Sequence, residues 1–281
     1  MIIGNLYGGL GNQLFQYSAA LSFSKQYGHE LKFVNIFNKR YRQAHTKFDL
    51  DKLYNLKISY IDSYELKQKF GYLKSNYYFN KFAYKFNINF DCIITDKLAK
   101  TLANNKNYFL YGYFQNYKYL KYTELTLHKY FYEPRDINNL NKYQLYQEIL
   151  NTHSVSLHIR GGDYLANPMR QVCNYEYYFN AIKKIKYFNS NAIFYIFSDD
   201  LNYAKNILSK LDINYRLVDN HFNNALNLYL MSKCKDNIIA NSSFSWWAAY
   251  LNNNKYKKII SPKKWLTNYN KSLALKEWII L

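Results

Sequence analysis

From about residue 152 onward the chain alternates short β-competent apolar runs with amphipathic segments of roughly ten residues, and this alternation narrows the fold more than any other feature. Residues 154–160 (SVSLHIR) read as a strand and Tyr175–Tyr187 as a helix. Ala192–Phe197 is a strand of the fully buried type, Leu201–Leu211 a helix and Asn214–Val218 a strand. Asn224–Cys234 is helical, Asn237–Ala240 extended, Phe244–Leu251 helical, and Tyr256–Ile260 closes with a strand. Strands that alternate with helices imply right-handed βαβ crossovers and therefore a parallel sheet. The polar stretch Asn138–Asn151 marks a boundary near residue 150, dividing the chain into domains 1–150 and 151–281. The first half alternates less regularly, with a β-like run at Tyr108–Phe114 and an aromatic-rich middle from Tyr60 to Phe90.

Parallel sheets bind ligands beyond the carboxyl ends of their strands, so those ends are where chemistry is expected. The strand at Ser154 runs into His158-Ile159-Arg160-Gly161-Gly162-Asp163-Tyr164. Val155, Leu157 and Ile159 share one face, and Ser156, His158 and Arg160 the other. A strand buried on both sides should be apolar on both, so the polar face ahead of Gly161-Gly162 marks a candidate site. The guanidinium of Arg160 offers a fixed fork of donors suited to phosphate. A structural Arg160–Asp163 ion pair with a satisfied core His158 accounts for the same residues.

The next strand ends in Ser198-Asp199-Asp200, which serves equally as an N-cap with first-turn acids or as a set of partners for a base or ribose. The third ends in Asn241-Ser242-Ser243-Phe244, where hydroxyls and free N–H groups at a helix start form an anion site or a plain cap.

At the amino terminus, Gly8-Gly9-Leu10-Gly11-Asn12-Gln13 follows a short apolar strand and precedes a helix that runs to Gly28. The run lacks the third glycine of a dinucleotide fingerprint. The second strand, Leu31–Asn35, ends in Asn35 where that fingerprint requires an acid. The amides of Asn12 and Gln13 at the helix start can reach phosphate or sugar hydroxyls.

Composition excludes several classes. The chain of 281 residues is 49% hydrophobic, enough for a large core. It contains no bilayer-length apolar run and no leader-like start, from which a cytoplasmic location is expected. Cys92, Cys173 and Cys234 are dispersed, which argues against a zinc site or a disulfide framework. The net charge of +19 and the 33 tyrosines invite a nucleic-acid reading, but the lysines are spread along the whole chain with no localised basic motif. No nucleic-acid partner is therefore expected. Peripheral attraction to the anionic inner face of a membrane fits the same charge.

Three stretches together resemble the bacterial α-1,2-fucosyltransferases of glycosyltransferase family eleven: Gly8–Tyr17 (GGLGNQLFQY), His158–Tyr164 (HIRGGDY) and Ser242–Trp247 (SSFSWW). Gly112–Tyr119 (GYFQNYKY) resembles the family's mid-chain segment. The resemblance implies an α/β, GT-B-like fold with two Rossmann-like domains facing a cleft: an acceptor-side domain, 1–150, and a donor-binding domain, 151–281. It implies GDP-fucose as donor substrate, a galactose-containing acceptor glycan, inversion at the fucose anomeric carbon, and neither metal nor cofactor. On that resemblance Arg160 holds the diphosphate and His158 lies near the nucleotide. Ser198, Asp199 and Asp200 border guanine or ribose, and Ser242, Ser243 and Phe244 border phosphate. Asn12 and Gln13 contact the donor from the other domain, and Asp163 either acts as base or orients arginine. The related enzymes usually read His-x-Arg-Arg-x-Asp, whereas here Gly161 replaces the second Arg; a Lys or Arg elsewhere in the chain, Arg170 among them, is a candidate substitute for the lost charge. Another GDP-sugar transferase on the same scaffold, a basic nucleic-acid-binding protein and a catalytically silent sugar-binding protein are the alternatives.

Overall fold

The computed structural model describes residues 1–34, 50–74, 81, 85, 92–96, 102–103, 106–218, 222–268 and 272–281. The chain divides into two compact units, Met1–Phe131 and Tyr132–Leu281. Asn35 and most of the aromatic segment between residues 75 and 90 lie outside the described residues.

In the first unit, β1 (Ile2–Asn5) passes through the glycine turn into α1 (Leu10–Tyr27), which returns the chain to β2 (Leu31–Val34). α2 (Leu50–Leu53), α3 (Ser63–Lys74, interrupted at Gly71), β3 (Ile93–Thr95), β4 (Tyr108–Tyr111) and α4 (Glu124–Phe131) follow. The strands pair in parallel in the order β2-β1-β4-β3. Gly28 ends α1 in the left-handed conformation, φ 67°, and its N–H closes on the Ser24 carbonyl, as helix-terminating glycines do.

The second unit begins further upstream than the polar stretch indicates. Helix α5 (Gln144–Asn151) belongs to it, because Tyr146 Oη lies 3.2 Å from Tyr229 Oη and Ser154 Oγ donates to the Ile149 carbonyl at 2.7 Å. Then come β5 (Ser154–Ile159), α6 (Gly162–Leu165), α7 (Tyr175–Phe188), β6 (Ile193–Ser198), α8 (Leu201–Leu208) and β7 (Tyr215–Leu217). α9 (Asn224–Lys233), β8 (Asp236–Ile238), α10 (Ser243–Tyr250), β9 (Ile259–Ser261) and β10 (Ile279–Ile280) complete it. The expected alternation is present with ends displaced by a few residues; β10 is an addition, too short to show any alternation in sequence.

All pairs in this sheet are parallel, in the order β10-β9-β8-β5-β6-β7. The chain starts at β5 in the middle, winds outward through β6 and β7, then crosses back to β8 and winds out the other way. This is the doubly wound arrangement, and its reversal falls between β5 and β8.

The packing explains the mixed character of β5. Val155, Leu157 and Ile159 are fully buried and pack with Tyr178, Ile182 and Ile185 of α7 and with Ala204 and Leu208 of α8. Burying each such aliphatic side chain contributes about 1.5–3 kcal/mol. On the other face Ser156 accepts a hydrogen bond from Asn237 Nδ2 at 2.6 Å, and Asn237 Oδ1 accepts one from Asn252 Nδ2 at 2.7 Å. Ser156 is thus a satisfied interior polar group; the polar face of β5 becomes a site only toward its carboxyl end.

Candidate active site

Three segments meet at the carboxyl edge of the second sheet: residues 160–170 after β5, 198–200 after β6 and 241–244 after β8. The first and third emerge on either side of the strand reversal, where doubly wound sheets bind their ligands.

Arg160 is the hub. Its Nη2 donates to Asp163 Oδ1 at 2.6 Å, and its Nη1 lies 2.9 Å from Asp199 Oδ2. Asp199 Oδ1 also accepts the Gly161 N–H at 2.9 Å, so one carboxylate fixes both the arginine and the loop behind it. Asp163 Oδ2 accepts from Arg170 Nη1 at 2.5 Å. Both guanidiniums lie over the Tyr164 ring, 5.0 and 5.2 Å from its centroid. Tyr164 Oη donates to the Asn241 carbonyl at 3.1 Å, which ties the β5 loop to the β8 loop.

The glycines are there for clearance. A Cβ on Gly161 would stand 2.6 Å from Asp200 Cβ; one on Gly162, whose φ is +41°, would stand 2.5 Å from Asp199 Oδ2. A side chain at 161 therefore has no room, and Arg170 brings the second guanidinium in from beyond the short α6.

His158 is 4% exposed, with its ring 5.9 Å from that of Phe244. Burial, assisted by the positive Arg160, pushes its pKa down to about 3, so the imidazole is neutral at ordinary pH. His158 Nδ1 and Arg160 Nε are buried with no hydrogen-bond partner. Polar atoms left so at a strand end are groups a ligand can satisfy.

The remaining expected residues divide by role. Asp200 caps α8, accepting the Tyr203 N–H at 3.0 Å, while Ser198 Oγ accepts the Asp200 N–H at 3.0 Å and donates to its carbonyl at 2.9 Å. The capping account of Ser198 and Asp200 is the one the geometry displays, and Asp199 stands apart as the arginine holder. Ser242 caps α10, its Oγ 3.4 Å from the Phe244 nitrogen, and Ser243 opens that helix.

Asn12 and Gln13 belong to the first unit, at the turn where Gly8 has φ +80°. Asn12 Oδ1 accepts from Gln115 Nε2 at 2.7 Å, and the buried Gln13 donates from Nε2 to the Gly8 carbonyl at 2.8 Å. Gln115, just past β4, is a strand-end residue that sequence reasoning did not single out, although it lies inside the quoted GYFQNYKY stretch. Tyr164 and Asn241, quoted at the ends of the β5 and β8 strands, are likewise given no role of their own by the sequence. Asn241 Nδ2 donates at 3.0 Å to both the Arg170 and Trp265 carbonyls.

The arrangement can bind a phosphorylated ligand through guanidinium forks and a helix amino terminus, beside a neutral imidazole and an aromatic ring. Among the described residues, no group of three or more His, Cys, Asp or Glu side chains is placed to hold a metal ion, and no helix is long and apolar enough to cross a membrane.

The family model "Glycosyl transferase family 11" matches residues 2–281. The O-antigen biosynthesis glycosyltransferase WbnK of Escherichia coli is 34% identical over 309 aligned positions, covering 98% of this chain and 99% of that one. An alpha-1,2-colitosyltransferase of Escherichia coli is 31% identical over 278 positions, covering 94% and 92%. Among solved structures, the fucosyltransferase NodZ from Bradyrhizobium has a TM-score of 0.56 at 13% identity, covering 88% of this chain and 90% of that one. This likeness shows a shared two-unit α/β fold of the GT-B type.

Proposed function

Because the chain belongs to glycosyl transferase family 11, we propose that it moves fucose from GDP-fucose, with inversion, to a hydroxyl of a galactose-containing acceptor glycan, forming an α-1,2 linkage. The observation that carries this reading is the place of Arg160. It stands at the strand reversal, held by Asp199 and Asp163 and lying over the Tyr164 ring, whose hydroxyl bonds the Asn241 carbonyl just ahead of α10.

The chemistry follows from that placement. The acceptor hydroxyl attacks the fucose anomeric carbon as the bond to the β-phosphate oxygen breaks, and negative charge grows on the departing GDP. Arg160 and the first N–H groups of α10 stabilise that charge. Neutral His158 and Phe244 form the wall against which the nucleotide rests, with His158 Nδ1 available to it. Both Asp163 oxygens are taken by guanidinium N–H groups, which favours a role in orienting the arginines over one as general base. The relative named for O-antigen biosynthesis supports a surface glycan as the acceptor's destination.

The relative named as a colitosyltransferase favours a second reading, in which the sugar moved is colitose, fucose without its 3-hydroxyl. Calorimetric titration with GDP-fucose, GDP-mannose and UDP-galactose, followed by a β-galactoside acceptor screen and NMR assignment of the new linkage, tests the proposal. Preferred binding of GDP-fucose and an α-1,2 product are expected. Equal binding of UDP-galactose, or transfer to another position, would overturn it.

A further inference from the structure

The proposed mechanism gives Arg170, a candidate for the missing charge, no step of its own, yet the structure pairs it with Asp163 and lays it over the Tyr164 ring as it does Arg160. We infer that Arg170 is the second anion-binding group of the site, and that Asp163 is the exchangeable counter-ion that holds both arginines in place until a diphosphate arrives. The inference rests on the proposal that a nucleoside diphosphate binds at the β5–β8 reversal.

Three observations support it. First, Arg170 is held by its backbone: its carbonyl accepts from Asn241 Nδ2 at 3.0 Å and from the Val172 N–H at 2.8 Å, and its N–H donates to the Asn167 carbonyl at 2.9 Å. Asn241 lies at the foot of α10, so the segment bearing Arg170 is fastened to the proposed phosphate-binding helix start.

Second, charges balance. Arg160 and Arg170 face Asp163 and Asp199, two cations against two anions. A diphosphate with Arg160 as its sole cation would meet both carboxylates at close range. With Arg170 engaged as well, two guanidiniums face the two phosphoryl groups.

Third, the two carboxylates are held differently. The side chain of Asp199 is 22% exposed and also binds the Gly161 N–H, whereas that of Asp163 is 46% exposed and bridges the two guanidiniums. Asp163 is therefore the one that can turn outward and give up its two donors to phosphate oxygens, while Asp199 keeps Arg160 in position. Tyr164 supports both guanidiniums from below during that exchange.

Titration of wild type, Arg170→Gln and Arg170→Lys with pyrophosphate, guanosine and GDP tests the inference. Arg170→Gln should weaken pyrophosphate and GDP by roughly ten- to a hundred-fold, the scale of a hydrogen bond to a charged group, and leave guanosine unchanged. Arg170→Lys keeps the charge without the fork and should recover part of that loss. Unchanged GDP and pyrophosphate affinity in Arg170→Gln would overturn the inference. So would equal weakening of guanosine, or a Lys variant as weak as the Gln variant when both are folded. If wild type binds pyrophosphate in an Arg170-dependent way but GDP no tighter, the donor reading fails and Arg170 stands.

Discussion

The charge deficit at Gly161 invites an obvious repair, which the structure says will fail. Replacing Gly161 by Arg would seem to restore a basic cluster, but any Cβ at this position stands 2.6 Å from Asp200 Cβ. Non-bonded carbons approach favourably to about 3.5–4.0 Å, so the overlap is roughly 1 Å. Asp200 cannot easily retreat. It caps α8 through Tyr203 and is tied by two bonds to Ser198, at 2.9 and 3.0 Å. A retreat would also pull on adjacent Asp199, which sets the position of Arg160. Gly161→Ala isolates the steric cost, and overpacking of this kind destabilises by about 1–3 kcal/mol. Urea unfolding should show that loss, and calorimetry should show weaker GDP binding because Arg160 is displaced. Gly161→Arg should be no more active than Gly161→Ala. If Gly161→Ala matches wild type in stability and GDP affinity, the steric account of this glycine is wrong. A Gly161→Arg variant with raised turnover would refute it from the other side.

Other outcomes follow from the same geometry. Arg160→Ala should reduce turnover by about two or more orders of magnitude, the scale of losing one oxyanion donor, and near-wild-type turnover would remove Arg160 from the mechanism. Transfer activity should survive EDTA, because guanidinium and helix-start donors supply the charge stabilisation; activity that is lost on chelation and restored by a divalent cation would contradict this. His158 gives a pH effect whose sign is fixed. Its pKa falls from 6.5 to about 3 on folding, so between those values the unfolded chain binds a proton that the folded chain does not. Stability therefore declines as pH drops below 6.5, by at most about 1.4 kcal/mol per pH unit from this group. Urea unfolding between pH 7 and 5 should be less pH-dependent in His158→Gln, and an unchanged slope would show that His158 titrates normally.

The second unit was legible in the sequence because its order is written in periodicity. A strand of six residues such as Ile193–Ser198, followed by a helix, leaves little choice of fold. The compact units divide upstream of the polar stretch for a physical reason. A polar segment reads as a linker, but Tyr146 and Ile149 turn the inward face of α5 into core of the second unit. The strand-end residues Arg160, His158 and Ser242 could be picked out because polar groups are rare at buried strand ends. Their division of labour could not. Ser-Asp-Asp is one string in the sequence, yet Asp199 holds an arginine while its neighbour Asp200 caps a helix. Arg170 could be named as a substitute for the missing charge, but its pairing with Asp163, seven residues upstream, depends on the turn of chain through α6.

The crossover at the centre of the second sheet also bears on when the site can exist. β5 pairs with β8 across a sequence separation of 81 residues, as between Ser156 and Asn237. Pairing over such a distance forms slowly, since a long loop must close before any contact rewards it. The loops carrying Arg160 and Ser242 extend from the ends of these two strands. No partial fold, and no ribosome-bound chain still short of α10, can bring them together. Ligand affinity at this edge should therefore appear in a single late step of refolding, after most helix has formed, making nucleotide binding a sensor of completed topology.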